Sequence, residues 1–239
     1  MIVPMSEMTM TGMRWTLALC AACAGAAGAA VTSPAAPHQA ELRKIADRVY
    51  QFTVVVRART AVAAATDDGS TELHPVQSIA SGVLLGNGLA ITDFAAVTLT
   101  GDDGEAQAAE EIDVVIPDLG IVPAQIAGAD RALGVAILRL PERTRGLAGP
   151  ATTEDLPQPG EAMIAVGANG AQLAALAVVV ENTGDRIETV DPLPPAFSGG
   201  ALFDASGRLA GINTLTRGQH ARAVPMAALR PLTAKALGH

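Results

Sequence analysis

The chain has 239 residues, of which 49% are hydrophobic and 17% charged, with 16 Lys+Arg against 24 Asp+Glu and a net charge of -8. That is too apolar for a disordered chain and too acidic for a phosphate-backbone footprint, so nucleic acid is excluded as a partner. Aromatics make up only 3%, so any core must be built from aliphatic side chains, a composition that suits strands and tight turns.

In chain order, the first thirty residues differ from the rest. Arg14 precedes an apolar stretch from Trp15 to about Ala27, followed by the small residues Gly28, Ala29 and Ala30, the order of a secretory signal. A signal at 1–30 implies export to the periplasm or the medium. It also removes both cysteines, Cys20 and Cys23, so the exported chain would carry no disulfide. Lipidation at Cys23 has against it Cys20, which stands where a bacterial lipobox has leucine. Residues 31–38 read as a flexible leader of Ala, Pro, Ser and Thr, and the spacing of Leu42, Ile45, Ala46 and Val49 predicts a helix over 39–49.

Twelve short aliphatic runs follow, at 52–56, 78–85, 89–92, 112–116, 121–126, 135–140, 163–166, 173–180, 186–190, 201–203, 209–215 and 221–224. Turn residues punctuate them, as in Gly86-Asn87-Gly88, Gly101-Asp102-Asp103-Gly104 and Asp204-Ala205-Ser206-Gly207. This is an all-β pattern of sandwich or barrel type. The Pro/Gly/Thr-rich stretch 141–160 divides the runs into two groups of six, about 50–141 and 160–225, and a helix over 226–237 closes the chain. No run in the body of the chain is long and unbroken enough to span a membrane. The histidines, His38, His74, His220 and His239, are far apart, so no metal-ligand constellation and no cofactor are expected.

The most specific motif is Pro194-Pro195-Ala196-Phe197-Ser198-Gly199-Gly200-Ala201-Leu202-Phe203, with Gly211-Ile212-Asn213-Thr214 after it. A serine ahead of two glycines at the mouth of a strand suits an exposed nucleophile, because glycines let the backbone approach a carbonyl. Alone it is also an ordinary turn. The segment resembles the nucleophile region of trypsin-like serine peptidases, most of all their HtrA branch, with Gly-Asn-Ser-Gly-Gly-Pro-Leu and then Gly-Ile-Asn-Thr. Ser81-Gly82-Val83-Leu84-Leu85, Gly88-Leu89-Ala90-Ile91-Thr92, Gly134 to Leu140 and Ala221 to Pro225 are similar to further strands of that family, over about residues 40–237. The resemblance implies a double six-stranded β-barrel with short terminal helices, in one peptidase domain at 39–239.

It also implies where catalysis should sit, and there the sequence departs. Ala95 stands at the expected histidine and Gly134 at the expected aspartate, while Ser198 is retained. The oxyanion loop reads Ala196-Phe197-Ser198, with a β-carbon where the family has glycine. The cleft would be lined by Thr214, Leu215, His220 and Ala221. A serine without a base is a poor nucleophile, so ordinary peptidase activity is not expected. The reading is of a pseudopeptidase whose cleft binds a peptide or protein. Two alternatives stay open: a weak hydrolase using Ser198 with a non-standard base such as His220, and a structural envelope protein. Asp93, next to the vacant position, could carry a proton, although a turn or strand-end carboxylate is its plainer reading. His74 is expected in a long loop before the second strand. About 40 residues follow Ser198, so the peptide-binding PDZ module common downstream in the HtrA branch is not expected here.

Overall fold

A computed structural model of the chain describes residues 39–65, 71–100, 106–214 and 220–238. The signal, the leader, Leu215 and the turn 101–104 lie outside these residues. Helix α1 (Gln39–Val49) leads through a single 3-10 turn into β1 (Thr53–Ala65). Then come β2 (Thr71–Gly86), β3 (Leu89–Asp93), the one-turn helix α2 (Phe94–Val97) and a small hairpin of β4 (Thr98–Thr100) and β5 (Ala106–Ala108). Strands β6 (Glu111–Ile116), β7 (Gly120–Asp130) and β8 (Val135–Arg139) complete the first half. The second half holds β9 (Ala162–Ala168), β10 (Gln172–Asn182), β11 (Ile187–Thr189), β12 (Ala201–Phe203), β13 (Leu209–Thr214) and β14 (Ala221–Pro225), and α3 (Met226–Leu237) ends it.

Each half closes into an antiparallel six-stranded barrel, in the order β1-β2-β3-β8-β7-β6 and β10-β11-β14-β13-β12-β9. Closure removes the sheet edges that a short aliphatic strand would otherwise leave open. The alternation on β6, where Ile112, Val114 and Ile116 are buried, fills the first barrel together with Val54, Val56, Leu84 and Leu138. The second barrel is filled around Met163, Ile187 and Leu202. Between the two lies a shared core of Val83, Ile91, Ile137, Val166, Phe203 and Ile212, and Leu229 of α3 is fully buried in it. The faces of β2, β3 and β8 turned away from their own barrel thus meet those of β9, β12 and β13. That seam brings the ends of β3 and the loop before β12 together.

All twelve aliphatic runs are strands. The first two were read too short: β1 pairs with β2 from Thr53 opposite Val83 out to Ala65 opposite Thr71. The added length is rich in polar residues and alanine and contains Pro75, which hid its strand character. His74 is therefore not in a loop. It lies on β2 opposite Val62 and is exposed.

Candidate active site

Ser198 sits between a 3-10 turn, Pro195–Phe197, and β12. Its loop is tied to both barrels. The Ser81 N–H on β2 donates to the Ser198 carbonyl at 3.0 Å, and the Gly199 N–H donates to the Asn213 carbonyl at 2.7 Å. The Ser81 hydroxyl donates to the Ala196 carbonyl at 2.6 Å and accepts from the Ala168 N–H at 2.8 Å. Asn213 in turn donates its side-chain amide to the Ala201 carbonyl at 2.9 Å. Each such bond between neutral groups is worth about 0.5–1.5 kcal/mol, and leaving one of these buried groups unmade would cost more.

Gly199 is where the backbone needs glycine. Its φ is +79°, and a β-carbon there would collide with the Ser81 carbonyl oxygen and lie 2.6 Å from Thr92 Oγ1. Gly199 thus serves close packing of one barrel against the other, whereas Gly200 lets the loop pack against Val166 of β9 in its own barrel.

The neighbour of Ser198 is Asp93. The serine hydroxyl donates to Asp93 Oδ2 at 2.6 Å, between groups that are only 9% and 4% exposed. Asp93 is the last residue of β3 and the N-cap of α2, its Oδ1 accepting from the Ala95 N–H at 2.7 Å. One carboxylate therefore does two things: it starts the short helix that displays Ala95, and it holds the serine hydroxyl. Thr92 Oγ1 donates to the Ser81 carbonyl at 2.7 Å, which fixes the strand end that presents it.

Ala95 and Gly134 do come together with Asp93, whereas Ser198 itself is not part of the lining they share. Both line a cleft of about 520 Å³ with Asp93, Phe94 and Thr214. The Phe94 N–H donates to the Gly134 carbonyl at 2.9 Å, so α2 and the turn before β8 are joined. Asp130 shapes that turn, accepting from the N–H groups of Ala132 and Leu133 at 2.9 Å. Gly134 has φ +73°, and a β-carbon on it would meet nothing closer than the Thr214 Cγ2 at 3.7 Å.

Of the other expected cleft residues, Ala221 is buried in β14 at 2% exposure and lies outside the cleft lining, whereas its neighbours Arg222, Ala223 and Val224 take part. His220 is exposed in the bend before β14 and does not line the cleft. Among the described residues, the cleft contains no imidazole.

The oxyanion loop has its own arrangement. The Ser198 N–H donates to the Pro195 carbonyl at 2.9 Å, and the Phe197 N–H to the Pro194 carbonyl at 2.9 Å. Phe197 inserts its ring into the core of the second barrel at 5% exposure, which anchors the turn in this form. An oxyanion needs N–H groups aimed at one point in the cleft, and here the Ser198 N–H is committed to its own turn.

Sequence reasoning noted Asp93 but not its partner, which is 105 positions away. It also missed three arginines of the cleft, Arg131, Arg186 and Arg222. The only signal for these would have been their adjacency to matched strands.

Two closed barrels with a serine loop on the seam between them, facing the end of β3 and the turn before β8, define a trypsin-like double barrel. The model of the trypsin-like peptidase domain family matches residues 80–212, and the chain belongs to that family. Among solved structures it is similar to a variant of the HtrA-type protease AlgW with a decapeptide, at 20% identity and TM-score 0.68, over 81% of this chain and 66% of that one. It is also similar to the serine endoprotease from Yersinia pestis, at 22% identity and TM-score 0.64, over 82% of this chain and 66% of that one. AlgW itself with decapeptide matches at 21% identity and TM-score 0.64, over 83% and 68%. The likeness at these identities establishes the fold, and the chain spans about two thirds of the length of these structures. A comparison with curated protein sequences finds no match.

Proposed function

We propose that the chain is an exported, catalytically inactive relative of the trypsin-like peptidases that binds an extended peptide or protein segment in its cleft, as a regulatory or binding module. One observation carries the reading: the Ser198 hydroxyl is bonded to a carboxylate, Asp93, at 2.6 Å, beside an alanine and a glycine where the imidazole and its orienting carboxylate are expected. Acyl transfer by serine needs a base poised near neutral pH to take the hydroxyl proton and return it to the leaving amine. Loss of one member of such a triad removes a factor of roughly 10⁴–10⁶ in turnover, and loss of two leaves only the contributions of binding and the oxyanion site. The Ser198 N–H, spent on Pro195, supports the same reading from the oxyanion side. Export rests on the charged, apolar and small-residue order at 14–30.

A second reading is favoured by the same contact. Asp93 is within proton-transfer distance of Ser198, which makes it, rather than the exposed His220, the non-standard base of a weak serine endopeptidase. A fluorophosphonate probe separates the two. The first reading predicts no labelling of the purified chain. Labelling that disappears in both Ser198→Ala and Asp93→Asn would overturn it in favour of the second.

A further inference from the structure

The cleft beside Ser198 is rimmed by cations in a chain whose net charge is -8. Arg131 comes from the turn between β7 and β8, Arg186 from the residue before β11, and Arg222 from β14. Two of these share one ion-pair partner: Arg186 Nε and Arg222 Nε each lie 3.1 Å from the same Glu188 Oε1, and of the two only Arg222 Nε donates a hydrogen bond to it. Both side chains remain about two-fifths exposed, at 41% and 43%, although Arg186 Nε itself is buried. Arg131 makes no ion pair among the described residues and is exposed. The cleft also has two carboxylates. Asp93 is buried and committed to Ser198, and Asp185 accepts from the Thr183 hydroxyl at 2.7 Å. Asp185 is exposed beside Arg186, so the solvent-facing charges are three guanidiniums against Asp185 and the shared Glu188, an excess of one cation, and the guanidinium forks present planar pairs of N–H groups that match a carboxylate.

We infer that the cleft selects acidic peptides, with Arg131, Arg186 and Arg222 receiving Asp or Glu side chains of a segment laid past Ala95 and Thr214. This rests on the peptide-binding reading above. Arg222 is held by its hydrogen bond to Glu188, with Arg186 ion-paired to the same oxygen, which lowers the cost of ordering them on a ligand. Arg131 adds a third positive charge from the other barrel, which places the acidic side chains across the seam. The excess positive charge, centred on the unpaired Arg131, repels a basic segment, so the discrimination is built from attraction and repulsion together.

The test uses three fluorescein-labelled octapeptides of Ala, Val and Ser that differ only in a central Glu-Glu, Gln-Gln or Lys-Lys pair, titrated into the purified chain and followed by fluorescence anisotropy. The Glu-Glu peptide should bind at least about fivefold more tightly than the Gln-Gln peptide, with Lys-Lys weakest. Raising the salt should shrink that margin, because the guanidiniums are exposed. Arg131→Glu removes no partner of any described residue and should cut the preference for Glu-Glu over Gln-Gln about fivefold or more. Equal binding of all three peptides, or a preference untouched by Arg131→Glu, would overturn the acidic selectivity while leaving the peptide-binding reading intact. No binding of any peptide would overturn both.

Discussion

Asp93→Ala removes a group that joins the two barrels at the seam. Two donors lose their acceptor at once: the Ala95 N–H that starts α2 and the Ser198 hydroxyl. Loss of an N-cap acceptor costs about 1 kcal/mol. Loss of a hydrogen bond to a charged group between two buried residues adds about 1.5–3 kcal/mol. The expected sum is about 3 kcal/mol, which for a domain of this size lowers the thermal midpoint by roughly 6–12 °C. Asp93→Asn is the control that decides the cause. Its amide oxygen still caps α2 and its amide nitrogen can donate to the serine oxygen, so it should cost less than about 1 kcal/mol. Urea unfolding followed by far-ultraviolet circular dichroism measures both variants. If alanine and asparagine cost the same, or if alanine costs under about 0.5 kcal/mol, the Asp93–Ser198 contact does not hold the seam together and the reasoning is refuted.

Other substitutions test neighbouring parts of the argument. Gly199→Ala combines a positive φ with a collision against the Ser81 carbonyl, and should cost about 3 kcal/mol or more, seen as a lower urea midpoint or loss of soluble protein. Ala95→His restores an imidazole without its orienting carboxylate and with the Ser198 N–H still engaged by Pro195, so hydrolysis of an unstructured protein such as casein should stay at the level of Ser198→Ala. Tyr50, the chain's one tyrosine, has its phenol pushed above the ordinary 10.0 by burial and then by the Asp47 carboxylate. The folded state thus keeps a proton that the unfolded state releases, and stability should fall as pH rises past 10.0, with the phenolate absorbance in the folded chain appearing later than in urea. Glu154 is held below its ordinary 4.5 by the hydrogen bond from Arg230 on α3, so that contribution should be present at neutral pH and fade as the solution is acidified below 4.5. Arg230→Gln should remove this pH dependence from the unfolding midpoint.

Much of the architecture was legible locally. Each barrel strand needs only aliphatic residues at the right length and turn residues at its ends, and these are properties of neighbours in sequence. The helix at 39–49 was legible for the same reason, from the spacing of Leu42, Ile45, Ala46 and Val49. The outer half of the β1–β2 pair was not, because alanine, arginine and Pro75 carry little strand signal and the pairing itself stabilises them. The β4–β5 hairpin was missed as well, since Thr98–Thr100 and Ala106–Ala108 are three residues each and take their stability from pairing.

The catalytic region divides in the same way. Its inventory is a matter of sequence: Ser198 present, Ala95 and Gly134 at the positions the family resemblance assigns to base and orienter, and no histidine between 75 and 219. Its wiring is a matter of tertiary structure. Whether the serine faces a carboxylate or solvent depends on how two closed barrels seat against each other, and that packing brings Asp93 to within 2.6 Å of a residue 105 positions away. The direction of the Ser198 N–H depends on Phe197 finding a place in the second core. The guanidinium rim depends on three turns and strand ends converging from both halves. Sequence by itself determined which side chains exist and which strands could form, because those follow from local chemistry. The tertiary structure alone decided which groups meet, because contacts across a seam arise from the burial of two separate aliphatic cores and leave no local trace.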